Sequence, residues 1–227
     1  MAQALIQPVT EATIQSFIDN HDPQDGCVLF TKLPAEMRND IFALTLRQYY
    51  KESHRYDTTS YHSRPGYRAP LEVDTTLLRT CRKIYLETRL LPIQQYEHIF
   101  WCRRGPSGSI FAGNPKSYFA TGTFPHTLLP HVDTIQIFAQ LYWLEQQFPA
   151  ECRRLSTLPL PRRLKITVRH SDWWYWESST PLEMKKEWIE GLRHLHSGLQ
   201  EFVVELETIE RDKDQVSFLE SDFLWPT

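Results

Sequence analysis

A proline placed at the front of a helical apolar period limits what this chain can build more than any other feature. In Leu33-Pro34-Ala35-Glu36-Met37-Arg38-Asn39-Asp40-Ile41-Phe42-Ala43-Leu44-Thr45-Leu46, Pro34 lacks only a backbone N–H that would be unpaired at a helix start, and its fixed φ is already helical. The pattern predicts a helix capped by Leu33, with Pro34 as its first helical residue. Glu36 suits the positive end of the helix dipole, Met37, Ile41 and Leu44 recur at helical spacing, and Phe42 and Leu46 widen the apolar face. A second helix is expected from Asp74 to Leu91. Asp74 can accept from the free N–H groups of the first turn, the stripe is Leu77, Cys81, Ile84, Tyr85, Thr88 and Leu91, and Pro92 forbids continuation. Two such stripes must be hidden against each other or a third partner, so a helical platform is expected from segments distant in sequence.

The pattern Leu33-Pro34-x-Glu36-x-x-x-x-Ile41-Phe42, followed by Leu77-Leu78-Arg79-Thr80-Cys81-Arg82-x-Ile84-Tyr85-x-Glu87, resembles the F-box-like domains abundant in fungal proteins. It differs from them in the long segment from Arg47 to Val73 and in Tyr85, where a tryptophan is common. The resemblance implies a protein-interaction adaptor. Leu33, Pro34, Met37 and Ile41 would dock on the small adaptor subunit of a cullin-RING ubiquitin ligase, and the region C-terminal to the helices would recruit a substrate.

Composition narrows the class. The 227 residues suffice for one large or two small domains, and 41% hydrophobic with 13% aromatic content excludes a disordered chain. With 25 basic against 28 acidic residues and a net charge of -3, the overall balance recruits neither nucleic acid nor an anionic membrane. Cys27, Cys81, Cys102 and Cys152 form no C-x-x-C pair, so neither a zinc site nor a redox motif is indicated. The N-terminus has no basic segment followed by an apolar run, and no apolar stretch approaches the roughly 20 residues that span a bilayer. A cytoplasmic or nuclear protein with reduced thiols, no metal and no cofactor is expected.

In chain order, Thr10 to Asn20 is a short helix with Ile14, Phe17 and Ile18 on one face and Thr10 as cap. The insertion at 47–73 exceeds the roughly 12 to 15 residues that structureless loops rarely pass, so an irregular hairpin is considered there. Its tyrosines alternate with Arg55, Arg64, Arg68 and histidines, which would suit stacking on an RNA strand, a protein face, or simply a solvated insertion; the last is preferred. Glu97 to Cys102 is a strand, and Gly105-Pro106-Ser107-Gly108 a turn leading to Ser109-Ile110-Phe111, as in a hairpin. Arg103 and Arg104 are read as solvated charges. Strands are also expected at 131–138, 164–170 and 199–207, with helices at 141–155 and 183–196 between them and Gly198 as a cap. Alternating strands and helices favour a parallel sheet with helices on one side. The fold class is therefore α+β, in three regions: 1–29 as lead-in, 30–92 as F-box-like helices carrying the 47–73 insertion, and 93–227 as a small α/β, irregular leucine-rich-repeat-like recognition region.

The most unusual run is His170-Ser171-Asp172-Trp173-Trp174-Tyr175-Trp176-Glu177. It begins where a strand ends, and ligands collect at the carboxyl ends of parallel strands. Four consecutive rings cannot all enter one core, so Trp173, Trp174, Tyr175 and Trp176 form a candidate ligand or partner pocket; the alternative buries Trp173 and Tyr175 while Trp174 and Trp176 cover a helix. Within the run His170 could act as a base, Asp172 as its orienting carboxylate and Glu177 as an acid. No H-E-x-x-H or G-x-S-x-G supports catalysis. The adaptor reading therefore leads. Its rival is a binder of an apolar small molecule, or a cofactor-free cyclase or isomerase, on the same scaffold. A closed, ligand-sized pocket beside His170 and Trp174 would favour the rival, and an open surface the adaptor.

Overall fold

A computed structural model describes residues 9–102, 105–107, 109–111, 126–156, 161–178, 181, 183–195 and 198–216. Arg103, Arg104, Gly108 and His196 lie outside them. Helix and strand are mixed, and the chain divides into two compact units, Met1–Tyr96 and Glu97–Thr227.

The first unit is helical. α1 (Glu11–Asn20) starts where expected, with Thr10 Oγ1 accepting from the Thr13 amide at 3.2 Å. α2 (Val28–Thr31) precedes α3 (Ala35–Thr45), whose cap is Pro34 itself, with an extended ψ of 156°, one residue later than the sequence suggested. The predicted helix from Asp74 to Leu91 is three pieces: a 3-10 turn at Thr76–Arg79, α4 (Arg82–Thr88) and α5 (Leu91–Gln95). Asp74 accepts from the Thr76 amide in a local turn instead of capping a long helix. Cys81 is fully extended, and its sulfur accepts from the Ile84 amide at 3.5 Å. Pro92 does not end a helix but sits in the first turn of α5, where its missing N–H costs nothing.

The platform is knitted by cations over rings. The guanidinium of Arg38 on α3 and the ammonium of Lys83 on α4 both lie over Phe30, at 5.4 and 4.4 Å, and Arg38 pairs with Glu87 at 3.3 Å. Phe17 on α1 meets Tyr85 edge-on at 5.6 Å, with Arg82 over the Phe17 ring at 5.5 Å. The two helical segments therefore do come together. The insertion is an irregular hairpin with its own small core: β1 (Tyr49–Tyr50) pairs antiparallel with β2 (Leu71–Glu72), and Tyr56 stacks on the buried Tyr67 at 5.7 Å.

The second unit is a five-stranded, wholly parallel sheet in the order β4-β3-β5-β6-β7, made of β3 (Glu97–Trp101), β4 (Ile110–Phe111), β5 (Thr134–Phe138), β6 (Arg163–Val168) and β7 (Glu201–Leu206). The expected hairpin at 97–111 is thus wrong in direction, since Phe100 pairs with Ile110 and Trp101 with Phe111 in parallel. Between β5 and β6 the predicted single helix is broken at Gln147 into α6 (Leu141–Gln146) and α7 (Phe148–Leu155), with Pro149 opening the second. Between β6 and β7 the expected α-helix is a 3-10 segment, Glu187–His194, and Gly198 lies at a left-handed φ of 101° before β7. Gly191 lets this segment approach α7, because a Cβ there would stand 2.8 Å from the Pro149 Cα.

Register separates the two faces of the sheet. One carries His98, Ile135, Leu164 and Phe202, then Phe100, Ile137, Ile166 and Val204. Phe202 packs against Phe148 and Trp188 at 6.2 and 6.1 Å, so the helices cover this face. The other is polar: Arg163 pairs with Glu201 at 2.6 Å, Lys165 with Glu205 at 3.2 Å, and Gln136, Thr167 and Glu205 form a row across three strands. With its amide turned so that its nitrogen donates, Gln136 also reaches Glu97 at 2.9 Å.

Candidate functional site

The run after β6 does leave the carboxyl end of the sheet. His170–Asp172 forms a 3-10 turn, Trp173 is buried, and the chain then reverses through Tyr175, whose φ of 54° is left-handed. A tyrosine rarely adopts that conformation, and it persists only where the surroundings hold it. Here the Ser178 amide and hydroxyl both donate to the Tyr175 carbonyl, at 2.8 and 2.9 Å.

The four rings part company. Trp173 points inward, its indole N–H donating to the Glu207 carbonyl at 2.8 Å just beyond β7. Trp174 is 43% exposed and donates to Glu145 Oε2 on α6 at 3.0 Å, with Tyr142 tilted beside it at 6.1 Å. Tyr175 is 72% exposed, so the arrangement that buried it is not the one adopted. Trp176 is half-buried, edge-on to His170 at 5.7 Å. Together Gln140, Tyr142, Ser171, Asp172, Trp173, Trp174 and Trp176 line a depression of about 130 Å³. Tyr142 and Glu145 were not singled out in the sequence. The available signal was that α6 follows β5 at the same end of the sheet at which the aromatic run follows β6.

The candidate catalytic groups do not assemble into a site. Asp172 is 4% exposed and takes a bidentate pair from Arg169, at 2.5 Å from Nε and 3.1 Å from Nη2. The Arg169 guanidinium lies 4.9 Å over Trp101, which itself stacks on Phe138 at 4.0 Å. Such a pair, desolvated and geometrically matched, fixes a loop end to the sheet. The carboxylate whose charge acts on His170 is that of Asp212, yet burial holds the imidazole below its ordinary value, and Nδ1 is buried without a hydrogen-bond partner among the described residues. Glu177 is exposed. Among the described residues no group of three His, Cys, Asp or Glu gathers as for a metal, and no helix is long and apolar enough to cross a membrane.

The other candidate face is on α3. Phe42 and Leu46 are fully buried, whereas Pro34, Met37 (51%), Ile41 (40%) and Leu44 (70%) are exposed and Leu33 is half-buried. In the insertion, Arg55 and Arg68 both pair with Glu52, and Lys51 with Glu72, so these three cations are matched locally. The Arg55 hydrogen bond holds the Glu52 carboxyl below the usual carboxylate range.

Comparison with known proteins found no matching family model, no matching curated protein and no matching solved structure.

Proposed function

We propose that the chain is an F-box-like interaction adaptor. The α3 face of Pro34, Met37 and Ile41 docks on the small adaptor subunit of a cullin-RING ubiquitin ligase, and the strand-end loops of an irregular leucine-rich-repeat-like sheet capture a substrate. The observation that carries this is the exposed stripe on α3. Met37, Ile41 and Leu44 lie at helical spacing on the side opposite Phe42 and Leu46, and a contiguous apolar stripe left in water marks an interaction surface rather than a core helix. The sequential order β3-β5-β6-β7, with the β5–β6 and β6–β7 crossovers on one face, supports the repeat-like reading of the second unit. The small-molecule alternative has less support. A depression of about 130 Å³ is smaller than the roughly 300–1,000 Å³ of drug-sized ligand sites.

The test is titration of the purified chain with the purified adaptor subunit by calorimetry. The wild type is expected to bind, and Ile41→Asp, at an already exposed position, to lose at least a hundredfold in affinity with unchanged circular dichroism. A wild type that shows no binding, or an Ile41→Asp variant that binds equally well, overturns the reading.

A further inference from the structure

We propose that the depression between Tyr142, Trp174 and Trp176 receives a methylated ammonium group carried on a lysine side chain of a protein partner. The proposal takes from the adaptor reading only that the partner is a protein; the chemistry comes from the site. An indole has a single donor, and two of the three indoles in the lining have theirs engaged: Trp173 on the Glu207 carbonyl and Trp174 on Glu145. Neither ring can therefore greet a carbonyl, hydroxyl or phosphate oxygen, and what Trp174 offers a visitor is its π face. Asp172 is among the lining residues, but its side chain is 1% exposed and its carboxylate is neutralised by Arg169, which lies over Trp101 and Phe138. Among the described residues, the uncompensated negative charge at the depression is therefore that of Glu145, whose carboxylate stands at the edge of Trp174. Ring faces beside carboxylates attract organic cations.

Size and hydration select among cations. A space of about 130 Å³ takes a head group of a few heavy atoms rather than a whole ligand. An unmodified ammonium carries three N–H donors that all need acceptors, and Asp172 already accepts from two Arg169 nitrogens. A methylated nitrogen keeps the charge, sheds that demand and presents methyl groups to the rings. The 43% and 72% exposure of Trp174 and Tyr175 leaves the rim open to a chain carrying such a side chain.

The experiment titrates the full chain, followed by tryptophan fluorescence, with four probes. These are a Gly/Ser-flanked peptide bearing trimethyllysine, the same peptide with lysine, the same peptide with a carbon replacing the charged nitrogen, and free choline. The trimethyllysine peptide is expected to bind at least tenfold more tightly than each of the other three. Trp174→Ala should abolish that binding, and Glu145→Gln should weaken it several-fold while leaving the neutral isostere unchanged. The proposal is overturned if the isostere binds as well, if choline binds as tightly as the peptide and so is itself the ligand, or if no probe saturates. Adaptor-subunit titration of the same samples separates the two readings: loss of one interaction with the other intact sinks only the one lost.

Discussion

The two units differ in how much of their apolar surface they leave in water. In the sheet unit Ile137, Ile166, Val168, Leu141, Leu144 and Phe148 are completely buried, and cohesion comes from apolar surface removed from water. In the helical unit Phe42 and Leu46 are buried but Met37, Ile41, Leu44, Val28 and Ile18 stay exposed, and Arg38, Arg82 and Lys83 over Phe17 and Phe30, with the Arg38–Glu87 pair, add contacts between the helices. Cations with long aliphatic stems can hold helices together while leaving an apolar stripe free. The sheet unit hides most of its described aliphatic side chains, whereas the helical unit hides one side of α3 and leaves the other in water.

That contrast can be broken by substitution. Ile166→Ala should cost about 3–4 kcal/mol, as expected for a fully buried isoleucine, whereas Ile41→Ala should change stability by less than about 0.5 kcal/mol; denaturant unfolding measures both. Equal costs would mean that the α3 stripe is core after all. Acid sharpens the contrast next. Burial pushes His98, on the covered face of the sheet, down to about 4. Because the unfolded imidazole titrates near its ordinary value of about 6.5, the unfolded chain binds a proton that the folded chain refuses. Stability should be full above about pH 6.5 and fall by roughly 3 kcal/mol as pH drops to about 4. His98→Gln should flatten that slope, and an unchanged slope would place the acid sensitivity elsewhere.

The smallest effect is on reactivity alone. Cys27 and Cys81 in the helical unit are half-buried free thiols, while Cys102 and Cys152 in the sheet unit are buried. Burial pushes both of the latter up, Cys152 to about 12, and a thiol without thiolate does not react. Ellman's reagent should therefore modify Cys27 and Cys81 in the native chain, and Cys102 and Cys152 only after unfolding. Early reaction at Cys152 would show that the sheet unit opens as readily as the helices.

Much of the architecture was legible where local chemistry decided it. The Thr10 cap, the Leu-Pro helix, the alternating strands and the parallel sheet with helices on one side all follow from propensity and period. What was not legible was decided by choices the pattern leaves equal. Gly105-Pro106-Ser107 announces a turn but not whether the next strand runs beside β3 in the same or the opposite sense. Apolar spacing continued through Cys81, yet the extended conformation there, with its sulfur on the Ile84 amide, breaks the helix. At the site, the aromatic run and its place at a strand end were visible. The partner of Asp172 was not, because Arg169 three residues earlier reads as an ordinary end-of-strand charge until it is seen stacked over Trp101.

The polar row on the sheet has one further property. Thr167 owns one proton and stands 3.0 Å from the Gln136 amide and 2.9 Å from Glu205, so it can give to only one of them at a time. The Gln136 amide is satisfied with its nitrogen on the Glu97 carboxylate and its oxygen accepting from Thr167, so the hydroxyl proton is committed to Gln136. The row thus has one polarity, fixed from its Glu97 end. A charge removed at Glu97 on β3 would free that amide to turn and should be registered at Glu205 on β7, across the width of four strands, by an amide turn and a hydroxyl rotation with the backbone standing still.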